Sequence, residues 1–291
     1  MTVPEVWAGE KKTCDPSVRG VIIDTHGEGT RMLDLEALNS ATKYPSIQTY
    51  HVLGERGSLT DEVTGFHGDV VLSEKIDGSN SRIIRLPDGD WLIGSREELL
   101  TARGDRVWNP ALGIVAALRE LADGLKAGGV EAEDGEGGFE GIMVFFLETY
   151  GARIGGQAKQ YTGTGRVGYR MFDLALIPLD VLGWDRGRIA AWREGGGRPF
   201  ASESVLQRVA GAAGIELTPR LATIPADALP TSVADTHAWL AGTLPATLAG
   251  LDAGAGGRAE GIVLRTIDRG VIAKARFQDY ERTLKRKDAR R

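Results

Sequence analysis

Between Asp69 and Phe277 the sequence carries seven short apolar runs: Asp69–Ile76, Ser81–Leu86, Trp91–Ser95, Ile142–Thr149, Gly168–Leu174, Gly261–Thr266 and Val271–Phe277. Runs this short, bounded by turn residues, fit strands better than helices. They do not alternate regularly with helical patterns, as a parallel sheet would require. The chain is therefore expected to be α+β, with antiparallel sheets flanked by helices. Pro87-Asp-Gly89 links two of the runs with a proline that fixes φ and a glycine that permits a tight reversal. That predicts a hairpin ending near Arg96.

Helical patterns lie between the runs. Asn109–Lys126 places Leu112, Val115, Leu118, Leu121, Ala122 and Leu125 on one face, with Pro110 suited to a first turn. Ser202–Ala213 and Ser232–Leu244 read as shorter helices, each opened by a capping hydroxyl. Val21–Asp24 reads as a short strand and Leu33–Ser40 as a helical turn. Three glycine-rich segments read as loops: acidic Gly128–Gly141, Gly151–Gly168 with Arg153, Lys159 and Arg166, and Gly250–Gly257.

Composition excludes several classes. In 291 residues, 42% are hydrophobic and 26% charged, enough to fill a sizeable core. No stretch has the length of a membrane span, and the N-terminus lacks a secretory pattern. Cys14 is the single cysteine, which fits a reducing compartment and a cytoplasmic location. The net charge is −5, unevenly spread: residues 282–291 hold six basic side chains and one acidic, leaving 29 basic against 39 acidic elsewhere. Such a tail could touch a polyanion, although a frayed, solvated terminus is the simpler expectation. Gly163-Thr-Gly165-Arg-Val-Gly168 precedes a strand rather than a helix, so dinucleotide binding is not expected. The four histidines lack zinc spacing.

Chemistry concentrates at the strand ends. Lys75-Ile-Asp-Gly-Ser-Asn80 closes the first run. Ser95-Arg96 ends the hairpin, Phe145-Phe-Leu-Glu148 ends in a carboxylate, and Phe172-Asp173 sits in the fifth run. Glu260-Gly261 opens the sixth, and Lys274 and Arg276 lie two apart in the seventh. Two cations two residues apart share one strand face, which suits an anion. Singly, each has a plainer reading. Lys75 fits a lysine snorkelling from a strand end, Glu148 and Glu260 fit surface pairs, and Phe172 fits a core ring.

Taken in order, these residues resemble motifs I, III, IIIa, IV and V of the covalent nucleotidyltransferases, the superfamily of polynucleotide ligases and capping enzymes. The resemblance spans Lys75 to Arg276 and is nearest to the RNA ligase branch, particularly the phage-type double-strand RNA ligases. There an asparagine stands five residues after the nucleophile, as Asn80 does, and Lys43-Tyr-Pro-Ser-Ile47 is similar to a segment upstream of that lysine. The resemblance implies an ATP-grasp-like nucleotidyltransferase domain over residues 41–281, between an N-terminal extension (1–40) and the basic tail (282–291), with no downstream OB domain.

It implies ATP and Mg²⁺ (or Mn²⁺) as cofactors and nicked or broken RNA as partner, in a chain expected to be a monomer. A protein partner supplying RNA-binding surface is a further expectation. Lys75 would be the nucleophile, Glu148 would hold a ribose hydroxyl, Phe172 would stack on adenine and Glu260 would sit by the metal. Lys274 and Arg276 would contact the α-phosphate, Arg96 the nucleotide and the 5′-phosphate, and Asn80 the reacting ends. Arg276 departs from the lysine usual at its position, and a guanidinium is not interchangeable with an ammonium. A minimal DNA ligase and a non-catalytic nucleotide binder retaining the fold are the alternatives.

Overall fold

The computed structural model describes residues 20–25, 29–102, 113–125, 139–195 and 200–289. A hairpin of β1 (Gly20–Thr25) and β2 (Gly29–Asp34) leads into helix α1 (Leu35–Ala41), which is N-capped by the Asp34 carboxylate. Short strands β3 (Gln48–Thr49), β4 (His51–Leu53) and β5 (Leu59–Val63) precede the main strands β6 (Asp69–Lys75), β7 (Ser79–Arg85), β8 (Trp91–Ser95) and β9 (Leu99–Ala102). Then come α2 (Ile114–Gly124), β10 (Ile142–Gly151), β11 (Val167–Ile177), α3 (Arg186–Gly195), α4 (Glu203–Ala213) and β12 (Arg220–Pro225). Helix α5 (Val233–Thr243), β13 (Gly261–Thr266), β14 (Ile272–Arg276) and α6 (Phe277–Asp288) complete the order.

Two five-stranded sheets organise the molecule, in the orders β11-β10-β7-β8-β9 and β12-β6-β13-β14-β3. All pairings within them are antiparallel except the short β14–β3 contact. The first sheet is covered on both faces. Ile83, Trp91, Phe145 and Leu147 pack with Leu118 of α2 and Leu206 of α4. Ile84, Val144 and Phe146 pack on the other side with Leu38 of α1 and Ile189 of α3. The second sheet buries Val70, Leu72, Ile262 and Leu264 against Leu240 of α5 and Tyr280 of α6. Each such leucine or isoleucine contributes about 1.5–3 kcal/mol by leaving water.

A buried ionic network joins the sheets. Asp173 on β11 accepts from Arg269 Nε at 2.7 Å and from the Tyr44 hydroxyl at 2.8 Å, with Arg265 of β13 at 3.5 Å. Arg265 also approaches Glu203 of α4 at 3.5 Å, and Glu203 in turn holds Arg220 of β12 at 2.9 Å. The aromatic–acid pair of the fifth run thus splits its duties: Asp173 is an interior anchor, while Phe172 lies on the neighbouring face.

The expected strands fall within a few residues of those observed, with one change of type. Phe277 opens α6 rather than closing a strand. Residues 282–288, expected as a frayed tail, continue that helix: Tyr280 and Thr283 are buried, and the Thr283 hydroxyl accepts from Leu59 N at 2.9 Å. Helix α3 and strand β12 had no clear apolar period to announce them. Only Ile189 of α3 is buried, and β12 is an edge strand ending in Pro225. Pro110 and most of Gly128–Gly141 lie outside the described residues. No helix among the described residues is long and apolar enough to cross a membrane.

Candidate active site

The segment Ile76-Asp-Gly78 is the only link between β6 of one sheet and β7 of the other, so the chain changes sheets immediately after Lys75. Gly78 is required at this crossing. A Cβ there would meet the Thr149 carbonyl oxygen and come within 2.8 Å of Tyr150 Cβ. Tyr161, wholly buried, fixes the turn by accepting from Asp77 N at 2.7 Å. Lys75 is left at a strand end, partly exposed.

Register brings the next residues to it. Gly261 of β13 stands opposite Lys75 on one side and Arg276 on the other, so three strands share a rung. A side chain at 261 would strike the Ala275 carbonyl oxygen and Arg276 Cα. Two rungs away, Val263 stands between Ser73 and Lys274. Lys75, Lys274 and Arg276 therefore share one face, and Glu260, just ahead of the rung, turns its carboxylate to them. Lys75 Nζ donates to Glu260 Oε2 at 2.5 Å, and Arg276 Nη1 lies 3.9 Å from Glu260 Oε1. Burial, then the Arg276 and Lys75 charges, hold the Lys274 ammonium below its ordinary pKa.

Arg276 is aimed by a residue the sequence reading passed over. Asp279, 2% exposed, grips its fork through Nε at 2.7 Å and Nη2 at 3.2 Å, leaving Nη1 toward Glu260. A lysine could not make this two-point contact, which gives the departure at 276 a physical reason. The i,i+3 spacing of Arg276 and Asp279 was visible in sequence, but it signals only once 277–288 is known to be helical.

On the other sheet, Glu148 of β10 and Asn80 of β7 are directly opposed. Gly78 N donates to Glu148 Oε1 at 3.0 Å, and burial pushes the Glu148 carboxyl up to about 7. The Lys75 charge opposes that rise, and the Glu260 charge adds to it. Asn80 Oδ1 is buried without a hydrogen-bond partner among the described residues. An unsatisfied acceptor here, beside a near-neutral carboxyl, suits a polar ligand group.

Phe172 and Arg96 flank this group rather than touching Lys75. The half-buried Phe172 ring meets Tyr44 edge-on at 5.0 Å between centroids. Arg96, on the exposed turn after β8, donates to Ser46 Oγ at 3.1 Å, and Lys43 holds Glu97 of the same turn at 2.8 Å. The segment Lys43–Ser46 thus ties the Arg96 turn to the Phe172 wall. Fully buried Arg82 braces the turn from behind by donating to the Arg96 carbonyl at 3.1 Å and to Asn39 Oδ1.

The two glycine-rich loops are clasped to each other. The Asp252 carboxylate accepts from Gly163 N at 2.8 Å, Thr164 Oγ1 at 2.6 Å and Thr162 Oγ1, and these bonds hold it well below the usual carboxylate range. Glu74, buried on the far face of β6, anchors the approach to the second loop by accepting from Leu248 N at 2.7 Å. No group of three or more His, Cys, Asp or Glu gathers among the described residues. A lone carboxylate such as Glu260 could hold an ion that keeps most of its water and otherwise binds substrate phosphates, the habit of Mg²⁺.

Residues 68–278 match the family model described as RNA ligase, well over half the chain, and the protein belongs to that family. Comparison with curated protein sequences gives no match. Among solved structures, a mutant Naegleria gruberi RNA ligase with ATP and Mn is 15% identical with a TM-score of 0.48, covering 76% of this chain and 52% of that one. The Naegleria gruberi RNA ligase with PPi gives 15%, 0.47, 84% and 64%, and an archaeal ATP-dependent RNA ligase gives 16%, 0.45, 87% and 51%. This chain thus spans between 51% and 64% of the length of these proteins.

Proposed function

We propose that the chain is an ATP-dependent RNA ligase that seals 5′-phosphate and 3′-hydroxyl ends through an adenylyl group carried on Lys75. The observation that carries this reading is the shared rung: Lys75 is held at 2.5 Å from Glu260, with Lys274 and Arg276 on the same face. In the first step Lys75 Nζ attacks the α-phosphorus of ATP. An N–P bond forms, the bond to the bridging oxygen breaks, and pyrophosphate leaves with the electron pair. Glu260 Oε2 is placed to take the amine proton. Lys274 and Arg276 balance the charge that develops on the phosphoryl oxygens.

A 5′-phosphate oxygen then attacks the AMP phosphorus and frees Lys75 Nζ. A 3′-hydroxyl attacks the activated 5′-phosphorus, and AMP departs. Glu148 and Asn80 offer acceptors on the opposite wall for ribose hydroxyls. Phe172 offers a ring face to the base, and Arg96 stands at the rim for the nucleotide and the incoming 5′-phosphate. A divalent ion at Glu260, Mg²⁺ or Mn²⁺, would offset the triphosphate charge.

The test is incubation with ATP labelled at the α-phosphate, plus Mg²⁺. Label should appear on the wild-type chain and be abolished in Lys75→Ala with the melting temperature unchanged. Label that survives the substitution would refute the assignment. Nicked RNA and nicked DNA duplexes compared side by side then decide the acceptor, with RNA expected to be sealed.

A further inference from the structure

We infer that the outer face of α6 is a docking surface for the phosphate backbone of the RNA strand that enters the site. The inference rests on the ligase reading above and names a surface that reading does not use. Helix α6 departs directly from the catalytic group, since Arg276 is its N-cap residue. Asp279 joins the two: it holds Arg276 on one side and Arg282 Nη2 at 2.8 Å on the other. Beyond it, Gln278, Arg282, Lys285 and Arg286 line one shallow concavity with Glu281. Glu281 is already engaged by Arg258 at 2.6 Å, so it subtracts little from the positive field.

Asp279 is shared between Arg276 and Arg282, and Asp61 lies 3.8 Å from Lys287 on the same helix; the other contacts of Arg282 and Arg286 are to neutral oxygens. Arg282 donates to the Gly57 carbonyl at 2.9 Å, and Arg286 donates to the Arg56 carbonyl at 2.8 Å and to Ser58 Oγ at 3.1 Å. These acceptors are uncharged, and Arg56 adds another cation. Lys285 and Arg286 are exposed. Everything before residue 282 carries 29 basic against 39 acidic side chains, so the face is a positive strip on a negative body. Such a strip attracts a polyanion locally while the body repels it elsewhere, which orients as well as binds. From Arg276 to Arg286 the helix rises about 15 Å, enough for about four phosphates of one strand of a duplex.

The experiment uses the full chain and a 5′-phosphorylated nicked RNA duplex, with binding measured between about 50 and 200 mM salt. In Lys285→Glu/Arg286→Glu, affinity should fall at least about tenfold at the lower salt, and the slope of log K against log salt should flatten by about two. Label from ATP should still reach Lys75. Unchanged affinity and slope would overturn the inference, as would wild-type protein that binds no RNA. A loss confined to anionic lipid vesicles, with RNA binding intact, would also overturn it. If the double variant melts early, Lys285→Glu alone decides, with a slope change of about one expected and no change refuting it. Absence of label in the wild type would instead refute the ligase reading, while the RNA measurement still judges the face.

Discussion

Two ionic clusters sit on the same pair of strands, and they differ in closure. At one end of β13, Arg265 joins Arg269, Asp173 and Tyr44 in a group whose carboxylate is wholly buried and bonded through both oxygens. At the other end, Lys75, Lys274 and Arg276 surround the single carboxylate of Glu260, and all four remain partly exposed. The first cluster is closed off from solvent. The second gathers three cations around Glu260, and burial first, then the Arg276 and Lys75 charges, lowers the Lys274 pKa. The same residue types thus make a buried scaffold at one end and a partly exposed, cation-rich group at the other.

The sharpest way to break the contrast is to unbalance the interior. Asp173→Ala leaves two buried guanidiniums without their acid and should cost about 3–5 kcal/mol in denaturant unfolding. The converse is to balance the open cluster with an anion. Pyrophosphate at a hundred times its dissociation constant should stabilise the wild type by about 2.7 kcal/mol. Lys274→Ala/Arg276→Ala should lose most of that gain in a thermal-shift titration, and an undiminished gain would place the anion elsewhere.

Glu148 gives a pH test. Its folded pKa, raised to about 7 from 4.5, means the folded chain holds a proton that the unfolded chain has lost between those values. Stability therefore falls as pH rises through that window. Glu148→Gln should be about 1–3 kcal/mol more stable than wild type at pH 8, with the gain fading as pH falls toward 4.5. A pH-independent difference would exclude the buried-carboxyl account. The smallest effect belongs to the rim: Lys43→Ala breaks an exposed pair with Glu97 and should change stability by about 0–1 kcal/mol.

Most of the strand framework was legible because it rests on local signals. Short apolar runs, Pro87-Asp-Gly89 and capping serines depend on neighbours in sequence, and Ser202 and Ser232 do cap α4 and α5. The placement of Lys75 and Arg276 at strand ends was legible for the same reason. What escaped depends on distant partners. Asp173 reads as half of an aromatic–acid pair until Arg269, 96 positions away, is seen to hold it. Asp279 is invisible while 277–288 is taken for strand end and tail, although Phe277, Tyr280 and Leu284 recur at helical spacing. Tyr161 lies in a glycine-rich loop, where nothing local announces a buried hydroxyl.

The shared rung at Gly261 also bears on how such a site can change over evolutionary time. Lys75 and Arg276 are both brought opposite Gly261 by strand pairing, so a single inserted residue within those pairs would turn a cation to the opposite face. The glycine-rich segments 151–168 and 250–257 lie outside that alignment. They can lengthen or diversify without displacing Lys75. The loops are therefore free to drift in length and composition, while the proposed chemistry depends on one line of paired backbone.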